Sequence, residues 1–512
     1  MASSGPPLPF GPGALLMVGL YVASLLAIGA VAYRKRQDPG LGDFFLAGRD
    51  MGFAVLFLTL YATQYSGNTL LGFSGAAYRN GLGFLVALHF MTAVVVGYVF
   101  LAPRLYRLSQ EKLFITPGDF VYFRYGSHFL RVLITLIMIF ALLNFTLAQM
   151  KTLGTVFETI SQGRVPLWAG VVGLALVMLV YESLGGMRSV AWTDVIQGGI
   201  LIVGFFLLLY LALTRLVPLP EALAGLAARA DTAAKVARPD APGARTWLSF
   251  VVMVGLGIAI YPQSIQRVFA ARSARVLKRS LAVMAVMPLF TSLIAVLIGV
   301  LMAAHVPGLD QELRDGSAAI VPSETVLPLL CLEVMQASPA GYWLVVVIFA
   351  ALLAAVMSTA DSALLSISSM ITKDLYGPYF RPGAQEAELT RAGKVIAWLL
   401  MVPIVWIAIG YEGTLIQLLS IKLEVLVQCA PAMYLGLHSR RLSGGPVMLG
   451  LLAGLAFTLG LHWSGDLGLT ASNTRRLFGF HPGLAGLLLN VAVVGLGTVY
   501  WRRKLAADGG RV

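Results

Sequence analysis

Only two cysteines occur in the 512 residues, Cys331 and Cys429, far apart and without ligand spacing, so neither a disulfide framework nor a zinc site is expected. Charge is scarce too: Asp, Glu, Lys and Arg make up 12% of the chain, while apolar residues make up 58%. That balance excludes an ordinary soluble domain, and with it the reading of the +13 net charge as a nucleic-acid surface. A Ser-His-Asp set, a soluble catalytic module and a low-complexity tail are all missing, so no enzyme is expected. The first apolar run, from about Gly13 to Tyr33, has neither a basic region ahead of it nor an A-x-A-like cleavage site. It reads as a retained first helix rather than a signal peptide.

What is present in abundance is apolar length. Runs of about 20 residues recur along nearly the whole chain, each able to cross a hydrocarbon core of about 30 Å as a helix. Spans are expected near 13–33, 52–78, 82–107, 130–158, 166–184, 189–216, 246–267, 280–305, 340–374, 390–410, 413–438, 445–464 and 482–502, about thirteen in all. With the N-terminus outside, the clusters Arg34-Lys35-Arg36, Arg104/Arg107/Lys112, Arg272/Arg275/Lys278/Arg279, Lys373/Arg381/Arg391, Arg440-Arg441 and Arg502-Arg503-Lys504 fall inside. That places roughly 25 basic residues inside against roughly 10 outside. A multi-pass membrane protein follows, with the lipid bilayer as its solvent; the location expected is a bacterial inner membrane, N-terminus periplasmic and C-terminus cytoplasmic. Two longer external connections run from Leu216 to Thr246 and from His305 to about Pro339; the alanine-rich piece Glu221 to Ala237 is expected to form a surface helix, and Pro378 to Glu388 a polar linker.

Two spans are less apolar than a plain anchor needs. The second contains Tyr61-Ala-Thr-Gln-Tyr-Ser-Gly-Asn-Thr69, and the seventh contains Gly255-Leu-Gly257 followed by Tyr261-Pro-Gln-Ser264. Both invite a broken helix, and unwound backbone at that depth is tolerable only where it faces protein or water. Interrupted helices at the start of two halves point to an inverted-repeat transporter. For the two glycines alone, close helix packing is the better reading.

The ninth span holds Ala354-Ala-Val-Met-Ser-Thr-Ala-Asp-Ser362, then Ser366, Ser368 and Ser369, and ends at Thr372-Lys-Asp-Leu-Tyr376. At about 100° per residue, Ser358, Ser362 and Ser369 fall within about 40° of one another, with Asp361 about 60° to the side. Such an oxygen-bearing stripe suits a hard cation, although serines in membrane helices also bond their own carbonyls. Asp361 weighs towards function, because a carboxylate inside a span usually faces a partner or a pathway. Asp194, in Gly185-Gly-Met-Arg-Ser-Val-Ala-Trp-Thr-Asp194-Val-Ile-Gln197, does the same unless it is an interfacial partner of Arg188.

These segments resemble the sodium:solute symporter family, whose members carry proline, pantothenate, sugars, sialic acid and monocarboxylates. Three carry the likeness: the LAGR-x-x-G entry to the second span, from Phe44-Phe-Leu-Ala-Gly-Arg49; the GG-x-x-x-V-x-WTD-x-x-Q motif ending at Gln197; and AAVMST-x-x-S with T-K-D-L-Y. The likeness extends to Tyr434 and implies a leucine-transporter-like core of two inverted five-helix repeats, near 52–216 and 246–438, with the first helix peripheral and 445–502 forming two helices after it. It also implies sodium as the coupling ion, held by the carbonyls of Ala62, Tyr65 and Ala355 and the hydroxyls of Ser358 and Thr359. A second cation set would be Asp194, Ser358, Asp361 and Ser362; relatives more often have a neutral residue where Asp361 stands, which opens a coupled proton as an alternative.

By the same resemblance Gln64, Ser66 and Thr69 match solute-contacting positions, with Asn144 and Lys422 as further candidates. Asn144 could equally bond a neighbouring helix. Lys422 and Glu424 point about 160° apart and are not expected to pair. Proline carriers have a tryptophan and a tyrosine where Val254 and Ile258 stand here, which disfavours a proline pocket. The function implied is sodium-driven import of a small organic solute. Its rivals are a proton-coupled carrier of the same fold and a symporter-like sensor with a separate signalling partner; a fused sensor is disfavoured because the chain ends about ten residues after the last span.

Overall fold

The computed structural model describes residues 12–160, 163, 165–309, 323–337, 339–411, 415–464 and 477–507. Regular structure among them is helical, apart from two isolated bridges, Met51 with Ala271 and Leu477 with Phe480. The principal helices are α1 (Pro12–Arg34), α2 (Phe53–Gln64), α3 (Phe73–Asn80), α4 (Val86–Lys112), α5 (His128–Ile160), α6 (Leu167–Gly185) and α7 (Met187–Arg215). There follow α8 (Ala241–Ala259), α9 (Pro262–Ala270), α10 (Met287–His305), α11 (Pro339–Met370), α12 (Glu386–Gly410), α13 (Leu415–Leu426), α14 (Gly444–Ser464) and α15 (Pro482–Ala507).

Eleven helices among the described residues are long and apolar enough to cross a membrane, against the thirteen expected. The difference has a physical cause. The second span is broken into α2 and α3, each too short alone, and the eleventh loses regular winding after α13, passing through a tight turn at Val427–Cys429 and a π-turn at Pro431–Leu435. The surface helix expected at Glu221 to Ala237 is shorter, Leu219–Ala228, because the backbone becomes extended at Arg229 (φ −102°, ψ 129°).

Both expected breaks are found. In the seventh span the helix stops at Ala259, and Pro262, which has no N–H to donate, opens α9 at its first position. The break therefore follows the glycines instead of using them. Gly255 and Gly257 lie inside α8, and a Cβ on Gly255 would come within 2.7 Å of the Ala93 Cβ, so Gly255 sets the approach of α8 to α4.

The sequence motifs tie elements together around these breaks. Ala47, Gly48 and Arg49 all have positive φ (52°, 68° and 60°), a turn that aims the Arg49 guanidinium at the carbonyls of Phe114 (2.7 Å) and Ser109 (3.3 Å). Gly186 (φ +56°) joins α6 to α7 where a Cβ would lie 2.3 Å from the Phe44 carbonyl oxygen. Asp374, beyond α11, is buried and accepts from Thr116 at 2.9 Å and Thr135 at 3.0 Å, and Arg131 donates to its backbone carbonyl at 2.9 Å. At the centre runs α11, the most deeply buried of the spans, packed chiefly on α7 and α5 and crossing α2.

Candidate ion and solute site

α2 ends where its side chains turn polar. Tyr65 leaves the helical region (φ −103°, ψ 98°), and the backbone N–H groups of Ser66, Gly67 and Asn68 find acceptors within the protein. Gly67 N–H donates to Gln149 Oε1 at 3.1 Å, Ser66 N–H to Thr69 Oγ1 at 3.3 Å and Asn68 N–H to Ser66 Oγ at 3.2 Å. Unwound backbone at membrane depth is thereby shielded from lipid. Facing it is α11. Ser358 Oγ donates to the Ala62 carbonyl at 3.1 Å and the Ala355 carbonyl at 3.3 Å. Thr359 Oγ1 reaches the same two carbonyls, at 3.4 Å and 2.8 Å. Bonds to Ala355 are the ordinary back-bonding of helix hydroxyls; those to Ala62 cross between helices. Ala62, Ala355, Ser358 and Thr359 thus converge on one fully buried point, with Tyr65 the first residue past the end of α2. Neutral oxygens surround it, the donor type a hard cation prefers.

The second set is built differently. Ser362 Oγ donates to the Ser358 carbonyl at 2.6 Å and lies 3.4 Å from Thr63 Oγ1. Into this set reaches Arg267 from α9: its Nη2 donates to Asp194 Oδ2 at 2.9 Å and to Ser362 Oγ at 2.5 Å, its Nε to Thr59 Oγ1 at 2.7 Å, and its Nη1 to the Gln263 carbonyl at 3.1 Å. Thr59 also donates directly to Asp194. Arg267, Asp194, Asp361 and Ser362 are all 0% exposed. Asp361 accepts from the Tyr181 hydroxyl at 2.5 Å, on the α6 side. The alternative pairing of Asp194 with Arg188 is not what forms: Arg188 pairs with Asp43 at 2.6 Å, and Asp194 with Arg267. Six residues apart on one helix, Arg188 and Asp194 point about 120° away from each other.

A narrow cavity opens beside the break, lined by Gln64, Ser66 and Thr69 of the unwound segment and by Lys422 of α13. Val254 and Ile258, the positions that disfavour proline, are part of its wall. Asn144 is not among the lining residues; its Oδ1 has no hydrogen-bond partner among the described residues. Lys422 and Glu424 do part company, since Glu424 meets His462 at 3.4 Å and His481 at 3.3 Å.

Residues 44–454 match the model of the sodium:solute symporter family. The chain belongs to that family. Among its relatives, the sodium/glucose cotransporter of Vibrio parahaemolyticus is 27% identical over 469 residues, covering 87% of this chain and 84% of that protein. The high-affinity proline transporter PutP of Bacillus subtilis is 27% identical over 491 residues, covering 92% and 95%. A solved structure of a Na+-coupled sialic acid symporter, substrate-bound and outward-open, superposes with a TM-score of 0.77 at 18% identity, over 96% of this chain and 98% of that one. MhsT in complex with L-phenylalanine superposes at 0.51 and 14%, over 86% and 97%. The fold is the leucine-transporter-like one, all-helical and multi-pass, and both the family and these relatives are transporters.

Within this symporter family fold, the residue that sequence reasoning passed over is Arg267. Lying at the end of the expected seventh span, just ahead of the Arg272 cluster, it looks interfacial. A signal was available in Gln263-Ser-Ile-Gln-Arg267, a polar run directly after Pro262 whose buried helix would have to find partners. Tyr181 and Thr59 carry no comparable mark; each sits in an apolar helix, and only packing shows what its hydroxyl meets.

Proposed function

We propose that this chain imports a small organic solute, drawn from carboxylates, amino acids, pantothenate-like compounds and sugars, in symport with sodium across a bacterial inner membrane, by alternating access. The observation that carries the reading is the meeting of the broken α2 with the Ser358 and Thr359 hydroxyls at the Ala62 carbonyl. Sodium, as co-substrate, is assigned the carbonyls of Ala62, Tyr65 and Ala355 and those two hydroxyls. Exchange of the cross-helix hydrogen bonds for a shared ion would lock α2 to α11. Solute is assigned the adjoining cavity, with Gln64, Ser66, Thr69 and Lys422 as contacts; Asn144 on α5, outside that lining, is a further candidate only for a solute that reaches past it. Each ligand stabilises the arrangement the other needs, so the ion gradient drives uptake without covalent chemistry.

Two inverted repeats near 52–216 and 246–438, each opening on a broken helix, are the proposed core; α1 is peripheral and the pair near 445–502 is appended. The N-terminus is periplasmic and the C-terminus cytoplasmic on the distribution of Lys and Arg. Asp194, Ser358, Asp361 and Ser362 form the second cation position, and the Arg267 contacts favour reading it as held by a tethered guanidinium, so that one sodium moves per solute.

Counterflow into proteoliposomes, with radiolabelled carboxylates, amino acids, pantothenate and sugars, tests the reading. Uptake of at least one solute class should require a sodium gradient. Equal uptake in sodium-free buffer under a proton gradient would show a proton-coupled carrier instead, and ligand-dependent response of a separate kinase without transport would show a sensor.

A further inference from the structure

The geometry points to a small organic monoanion, a carboxylate on a compact apolar body, as the solute, with Lys422 as its counter-charge; this rests on the symport reading above. Lys422 is 0% exposed, and its ammonium has no hydrogen-bond partner among the described residues. It stands 3.5 Å over the Phe145 ring and 5.7 Å from the Tyr261 ring, contacts that favour a cation without accepting its N–H groups as an oxygen would. A buried charge inside a membrane fold is retained where it is paired or where it serves a ligand or pathway. Of the carboxylates buried in the core, Glu424 meets two histidines, Asp194 meets Arg267 and Asp361 meets Tyr181, while Glu182 lies on α6. None of them lines the cavity, so its wall offers one positive charge and no negative one.

Two more polar groups on that wall also lack partners among the described residues: both amide atoms of Asn68 and the Tyr261 hydroxyl. Ammonium, amide N–H and phenol O–H together form a donor set for a carboxylate. Phe73, Phe90, Met91 and Ile258 make up much of the remaining surface, which suits a short hydrocarbon body better than a ring of hydroxyls. A neutral sugar would leave Lys422 unpaired. A zwitterionic amino acid would bring its own ammonium close to that of Lys422, with no carboxylate on the wall to receive it.

The test uses the purified full-length chain. Sodium-driven counterflow is measured for radiolabelled propionate, butyrate, pyruvate and lactate, alongside propionamide, alanine, proline and glucose; thermal unfolding is followed in NaCl against choline chloride. At least one monocarboxylate should be taken up, and propionamide should not. Lys422→Gln, and Lys422→Met as a second variant, should raise the carboxylate KM by at least about tenfold and lower the preference for carboxylate over amide by a similar factor, while keeping the NaCl-specific rise in Tm. Lys422→Arg should retain part of the preference. Sodium-driven uptake of alanine, proline or glucose without any monocarboxylate overturns the anion inference and leaves symport standing. So does a NaCl-specific rise in Tm with no carboxylate uptake, or an unchanged carboxylate KM in both Lys422 variants. Loss of both sodium-driven uptake and the NaCl-specific rise in Tm overturns the symport reading, and the anion with it.

Discussion

Ser358 and Thr359 each present one hydroxyl oxygen to the same carbonyl of α2, and both are fully buried. In the proposed sodium site, replacing either with Ala removes one ligand from a hard cation, a loss of about 1.5 kcal/mol, which is about tenfold in the sodium concentration for half-maximal uptake. Because both act on one ion, the double variant should cost less than the sum; sodium titration of uptake in the two single variants and the double checks this. Arg267 behaves differently. Its loss in Arg267→Gln leaves Asp194 buried without its ion-pair partner, a penalty of about 3–5 kcal/mol for breaking such a pair. If the guanidinium stands in for a cation, external sodium should recover part of that loss. Thermal unfolding of the variant should rise more steeply with NaCl, relative to choline chloride, than that of the unaltered chain. An identical salt response would make Arg267 a purely structural partner.

Along α7, two glycines five residues apart separate packing from helix propensity. A Cβ on Gly204 would lie 2.4 Å from the Ala351 Cβ of α11, whereas one on Gly199 would meet nothing within 4 Å. Gly204→Ala should push α7 off α11 and destabilise by about 1–3 kcal/mol, while Gly199→Ala should be neutral or mildly stabilising. Comparing the thermal unfolding of the two variants in the same detergent decides it. The breaks in the second and seventh spans were legible because each announces itself locally, one as an unbroken polar stretch from Thr63 to Thr69, the other as a proline after a glycine pair. The number of continuous spans was less legible: whether a hydrophobic stretch keeps regular α winding depends on what it packs against, and the change to tight and then π winding after Leu426 interrupts a stretch that reads as whole. Of the site, the hydroxyls on α11 and the polar face of α2 could be named from motif and spacing. The polar run after Pro262 marks Arg267 as needing buried partners, but which partners it finds depends on α2, α7, α9 and α11 meeting at one depth, a long-range fact that the run does not carry.

For the whole molecule, coupling means that the proposed ion site and the proposed solute cavity report on each other. They share α2: the Ala62 carbonyl faces α11, and Gln64, Ser66 and Thr69 face the cavity. Solute binding should therefore lower the sodium concentration needed for half-saturation, and sodium should tighten solute binding by the same factor, as linkage requires. Calorimetric titration of solute at several fixed sodium concentrations reads that factor directly, and equal solute affinity with and without sodium would mean the two sites are not coupled. On the proposed reading, Arg267 holds the second position through Asp194 and Ser362, and one sodium then suffices for the cycle. The most direct measurement is the rate of solute uptake into proteoliposomes as external sodium is varied at constant ionic strength. Hyperbolic activation with a Hill coefficient of about 1 is expected, shifted to higher sodium in Ser358→Ala and Thr359→Ala; uptake that ignores sodium, or activation unchanged in both variants, would contradict the site at the break of α2.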